Sequence, residues 1–346
     1  MKRLFVFLIF SCISYAEINF DGNIEVDEWI DAEAYDLPYE ISPSYNTKAE
    51  HKTLVYIKND ADNLYVAFKA LGNQEYIRAG IRARDGINWL DDQVAIGIDT
   101  FGDGRYYIRF SANPLGSIGD NKVDFKDNFD GSYNVEFDAK ANITSDGYEV
   151  EFVIPLSSLN FPEKSDQKWT LMLSRKLYNK GIESRYLNYE KIDGAGCIIC
   201  QSNEYYTIND IVKKNKKRLI PSFTANSTRE KNPDGKMNGG EEDSDFSLGG
   251  EYEFNGNSFE FTINPDFSQV EADQSKIDVN STTALRFDEK RIFFNEGKDF
   301  LSSDLATVYT RSINDPEYAI KLYNRGEKHS YYFLDAEDAT TPIIVP

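Results

Sequence analysis

Histidine is nearly absent from this chain of 346 residues, which has only two, and no G-x-S-x-G, H-E-x-x-H or P-loop motif occurs. Because histidine is the usual partner of a serine or cysteine nucleophile and the commonest metal ligand, its scarcity argues against a His-based nucleophile or metal centre. Paired carboxylates for glycoside hydrolysis stay open, since some of the 58 acidic residues will always lie close together. We expect a non-catalytic protein, with a glycoside hydrolase system as the alternative.

Positive charge is also scarce. The chain has 38 lysines and arginines against 58 aspartates and glutamates, which gives a net charge of −20. Non-specific binding to nucleic acid or anionic lipid needs a basic surface, so we expect no nucleic-acid partner. The 22 tyrosines and 23 phenylalanines are more than a disordered acidic chain carries, and they indicate a folded protein with a sizeable core.

No apolar run beyond the N-terminus is long enough to span a membrane as a helix. The N-terminus has the pattern of a secretory signal, because a basic start precedes an apolar run at residues 4–10. Residues 14–16 then place small side chains at the −3 and −1 positions of a cleavage site. We predict a signal peptide over residues 1–16, with lipidation at Cys12 as the alternative. The mature protein is expected in the periplasm or outer membrane of a Gram-negative bacterium.

Cysteine is rare, and cleavage of the signal would leave only Cys197 and Cys200, in a C-x-x-C arrangement. In a cytosolic enzyme this spacing could be redox-active or half of a zinc site. There is no second C-x-x-C, and His51 and His329 are far away in sequence. For an exported protein we predict a disulfide between Cys197 and Cys200 that pins a small loop.

Alternation of apolar and polar residues dominates the first 180 residues, and helix-period stretches are nearly absent. Turns rich in Gly, Asn and Asp separate the alternating segments, which is typical of antiparallel sheets. The predicted strands are residues 53–58, 63–69, 93–99, 105–113, 133–139, 147–154 and 169–177. Short helices are predicted only at residues 25–32, 155–159 and 208–217. The fold class is therefore all-β, with an antiparallel, jelly-roll-like β-sandwich over residues 17–212.

A basic run at residues 213–218 marks the predicted start of a second unit, residues 213–346. Residues 245–254 and 258–264 alternate around Asn255-Gly256, a strong hairpin signal, and a long polar loop precedes them. With three further strand candidates, at residues 306–313, 317–324 and 330–336, and another at 218–228, six strands are expected. Ten-residue strands with tight turns on one side and long loops on the other are typical of outer-membrane barrels. Because the sequence stops before a closing strand, a partial barrel is expected, with a second soluble sheet as the alternative.

Several segments before residue 212 resemble the family 9 carbohydrate-binding modules. They are FDGNIEVDEWIDA, NLYVAFKA, WLDDQVAIGIDTFGDGRYYIRFSANPLG, GYEVEFVIPLSSLNF and WTLMLSR. The resemblance implies an antiparallel β-sandwich that binds polysaccharide or oligosaccharide, often with structural calcium, and performs no chemistry itself.

The resemblance also suggests site residues. Trp89 is expected to stack on a sugar ring beside Asp91 and Asp92, with packing at the rim of the fold as the alternative. Asp99 and Asp103, in DTFGDGR, offer oxygens around a glycine turn that could bind calcium. The alternative is that these two aspartates only form the turn.

Residues 263–301 resemble a bacterial outer-membrane family of uncharacterised function, in which a similar domain precedes a large C-terminal β-barrel. Our leading hypothesis is a carbohydrate-binding protein of the cell envelope that is attached to the outer membrane through its C-terminal segment. The alternative is a periplasmic plug or assembly domain of a barrel without sugar affinity.

Overall fold

The computed structural model describes residues 18–87, 90–131, 133–162, 167–194, 197–209, 211, 217–227, 242–254, 257–265, 289, 291–295, 297–301, 309–313, 315–325 and 329–338. The predicted signal peptide, Cys12 and the predicted domain boundary between residues 212 and 213 lie outside this part of the chain.

Two antiparallel sheets form a β-sandwich. In chain order its strands are β1 (Glu33–Asp36), β2 (Tyr39–Ser42), β3 (Thr47–Lys48), β4 (Thr53–Asn59), β5 (Asn63–Leu71), β6 (Gln93–Asp99), β7 (Tyr106–Ala112), β8 (Ile118–Asp124), β9 (Phe129–Asp130), β10 (Asp138–Thr144), β11 (Gly147–Pro155), β12 (Gln167–Asn179), β13 (Ile182–Leu187) and β14 (Tyr205–Ile208). The five-stranded sheet has the order β1-β4-β5-β11-β10. The nine-stranded sheet has the order β3-β2-β13-β12-β6-β7-β8-β9, with β14 paired to β12.

The core lies between these sheets and takes alternate residues from the longer strands. Ile96 and Ile98 of β6 are fully buried in it. Phe137 packs edge-on against Phe110 of the nine-stranded sheet and stacks on Phe152 of the five-stranded sheet, with centroid distances of 4.9 and 6.4 Å. Each such side chain contributes about 1.5–3 kcal/mol by burial, so this interface stabilises the sandwich.

The prediction of an all-β fold with an antiparallel sandwich is confirmed. One predicted strand, residues 133–139, is wrong over most of its length, because regular pairing begins only at Asp138. The backbone N–H of Val135 donates to the buried Asp120 carboxylate at 2.6 Å instead of to a strand. A side-chain acceptor has replaced the sheet ladder there, which alternation alone cannot reveal.

The three predicted helices have different outcomes. Residues 25–32 form turns and not a helix, and Trp29 among them donates to buried Glu151 at 3.3 Å. Residues 155–159 contain the expected short helix, a 3-10 turn at Leu156–Ser158. The prediction for residues 208–217 is wrong where the structure describes it, because β14 ends at Ile208 and residues 209 and 211 are not helical.

A third antiparallel sheet follows the sandwich. Its strands, neighbours in chain order, are β15 (Lys217–Ser227), β16 (Glu242–Phe254), β17 (Asn257–Ile263), β18 (Pro316–Arg325) and β19 (Ser330–Asp338). One face is apolar and open to solvent, with Phe223 and Phe246 69% and 59% exposed. The opposite face buries charged side chains, with Glu260 at 5% and Lys321 at 0% exposure. Polarity is therefore inverted relative to a sheet of a soluble protein.

Two short helices, α1 (Ile292–Asn295) and α2 (Lys298–Leu301), lie between β17 and β18 in the chain. Two buried ion pairs lie in this part of the molecule. Lys321 pairs with Glu260 on the adjacent strand at 2.7 Å and donates to the carbonyl of Phe293 at 2.6 Å. Arg291 pairs with Glu289 at 2.7 Å and donates to the carbonyl oxygens of Thr310 and Ile313. Pairing offsets part of the desolvation cost of these buried charges, and removing one partner would leave the other uncompensated.

The predicted strand at residues 306–313 is wrong in its described part, because Thr310–Ser312 forms a 3-10 turn. The carbonyl groups of this turn accept from buried Arg291, so tertiary hydrogen bonds replace strand pairing. Among the described residues the third sheet thus has five strands where six were predicted. Within the same residues no helix is long and apolar enough to cross a membrane.

Candidate functional site

The outer face of the nine-stranded sheet, which points away from the core, carries an unusual set of polar side chains. Strand alternation directs Ile96 and Ile98 inward, so Gln93 and Gly97 of β6 lie on the outer face. The same alternation places Arg109 of β7 on that face, opposite Gly97. This face is therefore a polar surface backed by the main core.

One end of the outer face is covered by the segment that follows β13. Tyr189 and Ile199 from this segment pack against Tyr107 and Met172 of the sheet in a small apolar cluster. At the other end, the guanidinium of Arg78 stacks on the Tyr178 ring at 4.7 Å. The polar residues between these two ends form the candidate site.

Four side chains from four adjacent strands form a row across the face. Arg185 of β13 pairs in register with Lys176 of β12, and Lys176 pairs in register with Gln93 of β6. Arg109 of β7 reaches the same row, since its Nη2 donates to Gln93 Oε1 at 3.0 Å. We call Arg185, Lys176, Gln93 and Arg109 the outer-face row. It is recessed, because Gln93 and Lys176 are buried while the Arg185 side chain is 49% exposed.

The electrostatics of the row are dominated by its cations. Burial lowers the pKa of Lys176, and the neighbouring charges of Arg185 and Arg109 lower it further, against opposing effects of Glu183 and Asp91. Burial and nearby Arg185 likewise lower the pKa of Arg109. Glu183 accepts from Arg185 Nε at 2.7 Å and from the Tyr178 hydroxyl at 2.7 Å. Three cations thus share the row, and Glu183 pairs with one of them, Arg185.

Asp91 and Asp92, predicted to bind sugar, are buried just before β6. Asp92 accepts the backbone N–H of Tyr178 at 2.9 Å, and burial raises the pKa of its carboxyl to about 7. Asp91 faces Arg82 Nε at 3.5 Å and Asn113 Nδ2 at 3.4 Å. Both carboxylates place negative charge near Lys176 of the row, and direct contact with sugar stays a prediction. Trp89 lies outside the described residues.

The two aspartates predicted to bind calcium have other partners. Asp99 accepts the backbone N–H groups of Phe101, Gly102 and Gly104 at 2.8–3.0 Å, which closes the turn after β6. Asp103 pairs with Arg325 at 3.1 Å. Among the described residues no group of three or more acidic, His or Cys side chains could hold a metal ion. The donor set fits turn formation better than calcium, and calcium binding stays an untested prediction.

Cys197 and Cys200 lie in the covering segment after β13. Their Sγ atoms are 2.12 Å apart, at bonding distance, and the Cα atoms are 5.4 Å apart. Cys197 packs against the apolar cluster of Tyr189 and Ile199. The predicted disulfide would therefore hold one wall of the candidate site.

The sequence analysis missed the three cations of the row. Lys176 and Arg185 face each other across the β12–β13 hairpin, but Arg109 comes from β7, far away in sequence, so no local motif joins all three. One signal was present: Arg175 and Lys176 are adjacent in a strand, so they must point to opposite faces. Arg175 takes the core side, donating to Thr53 Oγ1 at 3.0 Å, and this leaves Lys176 on the outer face.

Comparison with known proteins gives family and fold similarities. Residues 222–329 match the family model described as Domain of unknown function (DUF5916). No curated protein sequence matches the chain. A family 9 carbohydrate-binding module from Caldicellulosiruptor kristjanssonii, in complex with cellotriose, is similar at 15% identity with a TM-score of 0.42, over 58% of this chain and 92% of that one. The same kind of module in complex with glucose gives 15% identity and a TM-score of 0.38, over 58% and 94% of the two chains.

Proposed function

We propose that the chain is a non-catalytic carbohydrate-binding protein of the cell envelope and that the outer-face row is its saccharide site. The observation that carries this proposal is the convergence of four hydrogen-bonding side chains on one recessed surface between two packed segments. Ligand sites combine partly buried surface with a few convergent polar groups.

The chemistry of the row suits sugar hydroxyls, which both donate and accept hydrogen bonds. Lys176, Arg109 and Arg185 are donors only, whereas the Gln93 amide offers both functions. Trp89 precedes Gln93 by four residues in the sequence. An indole near the row would supply the apolar face on which a pyranose ring stacks.

A glycan array followed by calorimetry on the purified full chain tests this function. We expect binding to at least one oligosaccharide, no release of smaller sugars, and loss of binding in Trp89→Ala. Phe129→Ala is the matched control, because it removes an exposed aromatic ring from β9. Absence of binding to every glycan, or equal binding by both variants, would contradict the proposal.

We also propose that the third sheet attaches the protein to the outer membrane. Its inverted polarity supports this, since an exposed apolar face is costly in water and favourable against lipid. Exposed apolar residues on that face include Leu219, Phe223, Phe246, Ile263 and Phe333. Fractionation after expression in a Gram-negative host tests the attachment. Recovery in the outer membrane is expected, and recovery only in the soluble periplasmic fraction would overturn it.

One contact favours the alternative of a plug or assembly domain without sugar affinity. Arg325, at the end of β18, pairs with Asp103 of the sandwich and lies over the Tyr106 ring at 4.4 Å. The sandwich is thus joined to the sheet itself and not only through the chain. Normal membrane recovery combined with no glycan binding would select this alternative.

A further inference from the structure

We propose that the saccharide bound at the outer-face row is acidic, and that the row binds its oxyanion, a carboxylate or a sulfate ester. This inference rests on the proposed function and names the ligand class of the same site. It runs against the overall composition, because the chain has 20 more acidic than basic residues.

Arg109 is the first argument. Among the described residues its side chain makes one hydrogen bond, to the neutral Gln93 amide, and no ion pair. A partly buried guanidinium without a carboxylate carries a desolvation cost that this amide does not offset. The planar fork of N–H donors matches an oxyanion, which would supply the missing charge.

The second argument is the placement of Lys176 and Arg185 beside Arg109. Three like charges on one face of four consecutive strands of the sheet repel one another, and the pKa values of Lys176 and Arg109 are lowered by burial and by this repulsion. An anion in the row would relieve that repulsion. The four strands span about 14 Å, which leaves room for more than one anionic group.

The third argument concerns the nearby carboxylates. Each of them already has a hydrogen-bond or ion-pair partner other than Arg109. Glu183 is held by Arg185 and the Tyr178 hydroxyl. Asp92 accepts from the Tyr178 backbone, and Asp91 faces Arg82 and Asn113. These carboxylates attract the cations of the row electrostatically, but none of them bonds to Arg109.

The experiment is calorimetry of the full chain with oligogalacturonate, a sulfated galactan fragment, the corresponding neutral galactose oligomer and inorganic phosphate. We expect at least about tenfold tighter binding of one acidic oligomer than of the neutral one, the range of one charge-assisted hydrogen bond. Binding should weaken as salt is raised. The preferred oligomer identifies whether the oxyanion is a carboxylate or a sulfate.

Three variants locate the binding. Arg109→Gln should abolish the preference for the acidic oligomer, and Arg185→Gln, at a more exposed position, should reduce it if Arg109→Gln does not fold. Glu183→Gln should strengthen binding, because it removes the carboxylate next to the row. Lys168→Gln is the matched control, since Lys168 is exposed on the same strand and face, about 26 Å from Lys176.

The outcomes separate the two proposals. Equal or tighter binding of the neutral oligomer would overturn the acidic ligand and leave carbohydrate binding intact. No binding of any oligomer would overturn both. Phosphate binding without preference for an acidic oligomer, or equal losses in Lys168→Gln and Arg109→Gln, would also overturn the acidic-saccharide assignment.

Discussion

Arg325 of the third sheet and Asp103 of the sandwich form an ion pair, with Nη2 and Oδ2 3.1 Å apart, although 222 residues separate them in the chain. The Arg325 guanidinium also lies 4.8 Å from the Phe101 ring centroid. Its side chain is buried, so its contribution should exceed that of an exposed pair.

Replacing Arg325 should therefore loosen the contact between the sandwich and the third sheet. We expect Arg325→Ala to lower the free energy of unfolding by about 1–2 kcal/mol, as for a partly desolvated cation–π contact with an ion pair. The measurement is urea denaturation of the full chain. Arg218→Ala, which breaks an exposed pair with Glu251, is the control and should cost less. Equal losses would contradict the assigned role of Arg325.

Gly147 begins β11 at a position where a side chain cannot fit. Its φ is +150°, and an added Cβ would lie 2.0 Å from the carbonyl oxygen of Ala70 on β5. Gly147→Ala should lower the free energy of unfolding by about 3 kcal/mol or more, because the backbone of two strands must separate. Gly131→Ala is the control, since nothing lies within 4 Å of its added Cβ. Thermal denaturation of both variants checks this, and a silent Gly147→Ala would show the β5–β11 pairing to be wrong.

Asp92 should make stability depend on pH. Burial raises the pKa of its carboxyl to about 7, above the value of an unfolded chain, so the folded state holds this proton more tightly. The stabilisation is complete below the unfolded pKa and is lost as pH rises toward 7, by about 1.4 kcal/mol per unit of pKa difference. Asp92→Asn should flatten this part of the profile. Unfolding measured between pH 4 and 8 checks it, and an unchanged slope in the variant would contradict the assignment to Asp92.

The cysteine pair can be tested directly. We expect the denatured, unreduced protein, after signal cleavage, to show no reactive thiol, and two to appear after reduction. Because the closed loop is short, replacing both Cys197 and Cys200 by serine should change the free energy of unfolding only slightly. Two reactive thiols before reduction would show that the disulfide is not formed in the exported protein.

How far the sequence predicts this molecule can be judged from particular elements. The strand at residues 93–99 was predicted with its observed bounds, because alternation and a glycine turn are both local signals. The strand at residues 182–187 was missed, since its apolar Ile182 is exposed and its polar Ser184 is buried, so its polarity does not follow its burial. Residues 306–313 alternate like a strand, but buried Arg291 donates to the carbonyl oxygens of Thr310 and Ile313. No local sequence pattern predicts that contact.

The candidate site shows the same limit. Asp91 and Asp92 were predicted because they stand beside a motif, directly before Gln93 of the row, and their contact with sugar stays a prediction. Arg109, Lys176 and Arg185 were not found, because strand pairing and the hydrogen bond from Arg109 to Gln93 bring them together. Pairing between distant strands is a tertiary outcome that composition and period do not contain.

The most direct test of the account is arginine-selective ¹⁵N NMR of the full chain during titration with a bound saccharide. If the outer-face row is the site, the Nε resonances of Arg109 and Arg185 shift with ligand concentration, while that of Arg218 in the third sheet stays in place. Shifts confined to other arginines, with Arg109 and Arg185 unaffected, would show that saccharide binds elsewhere and contradict the account.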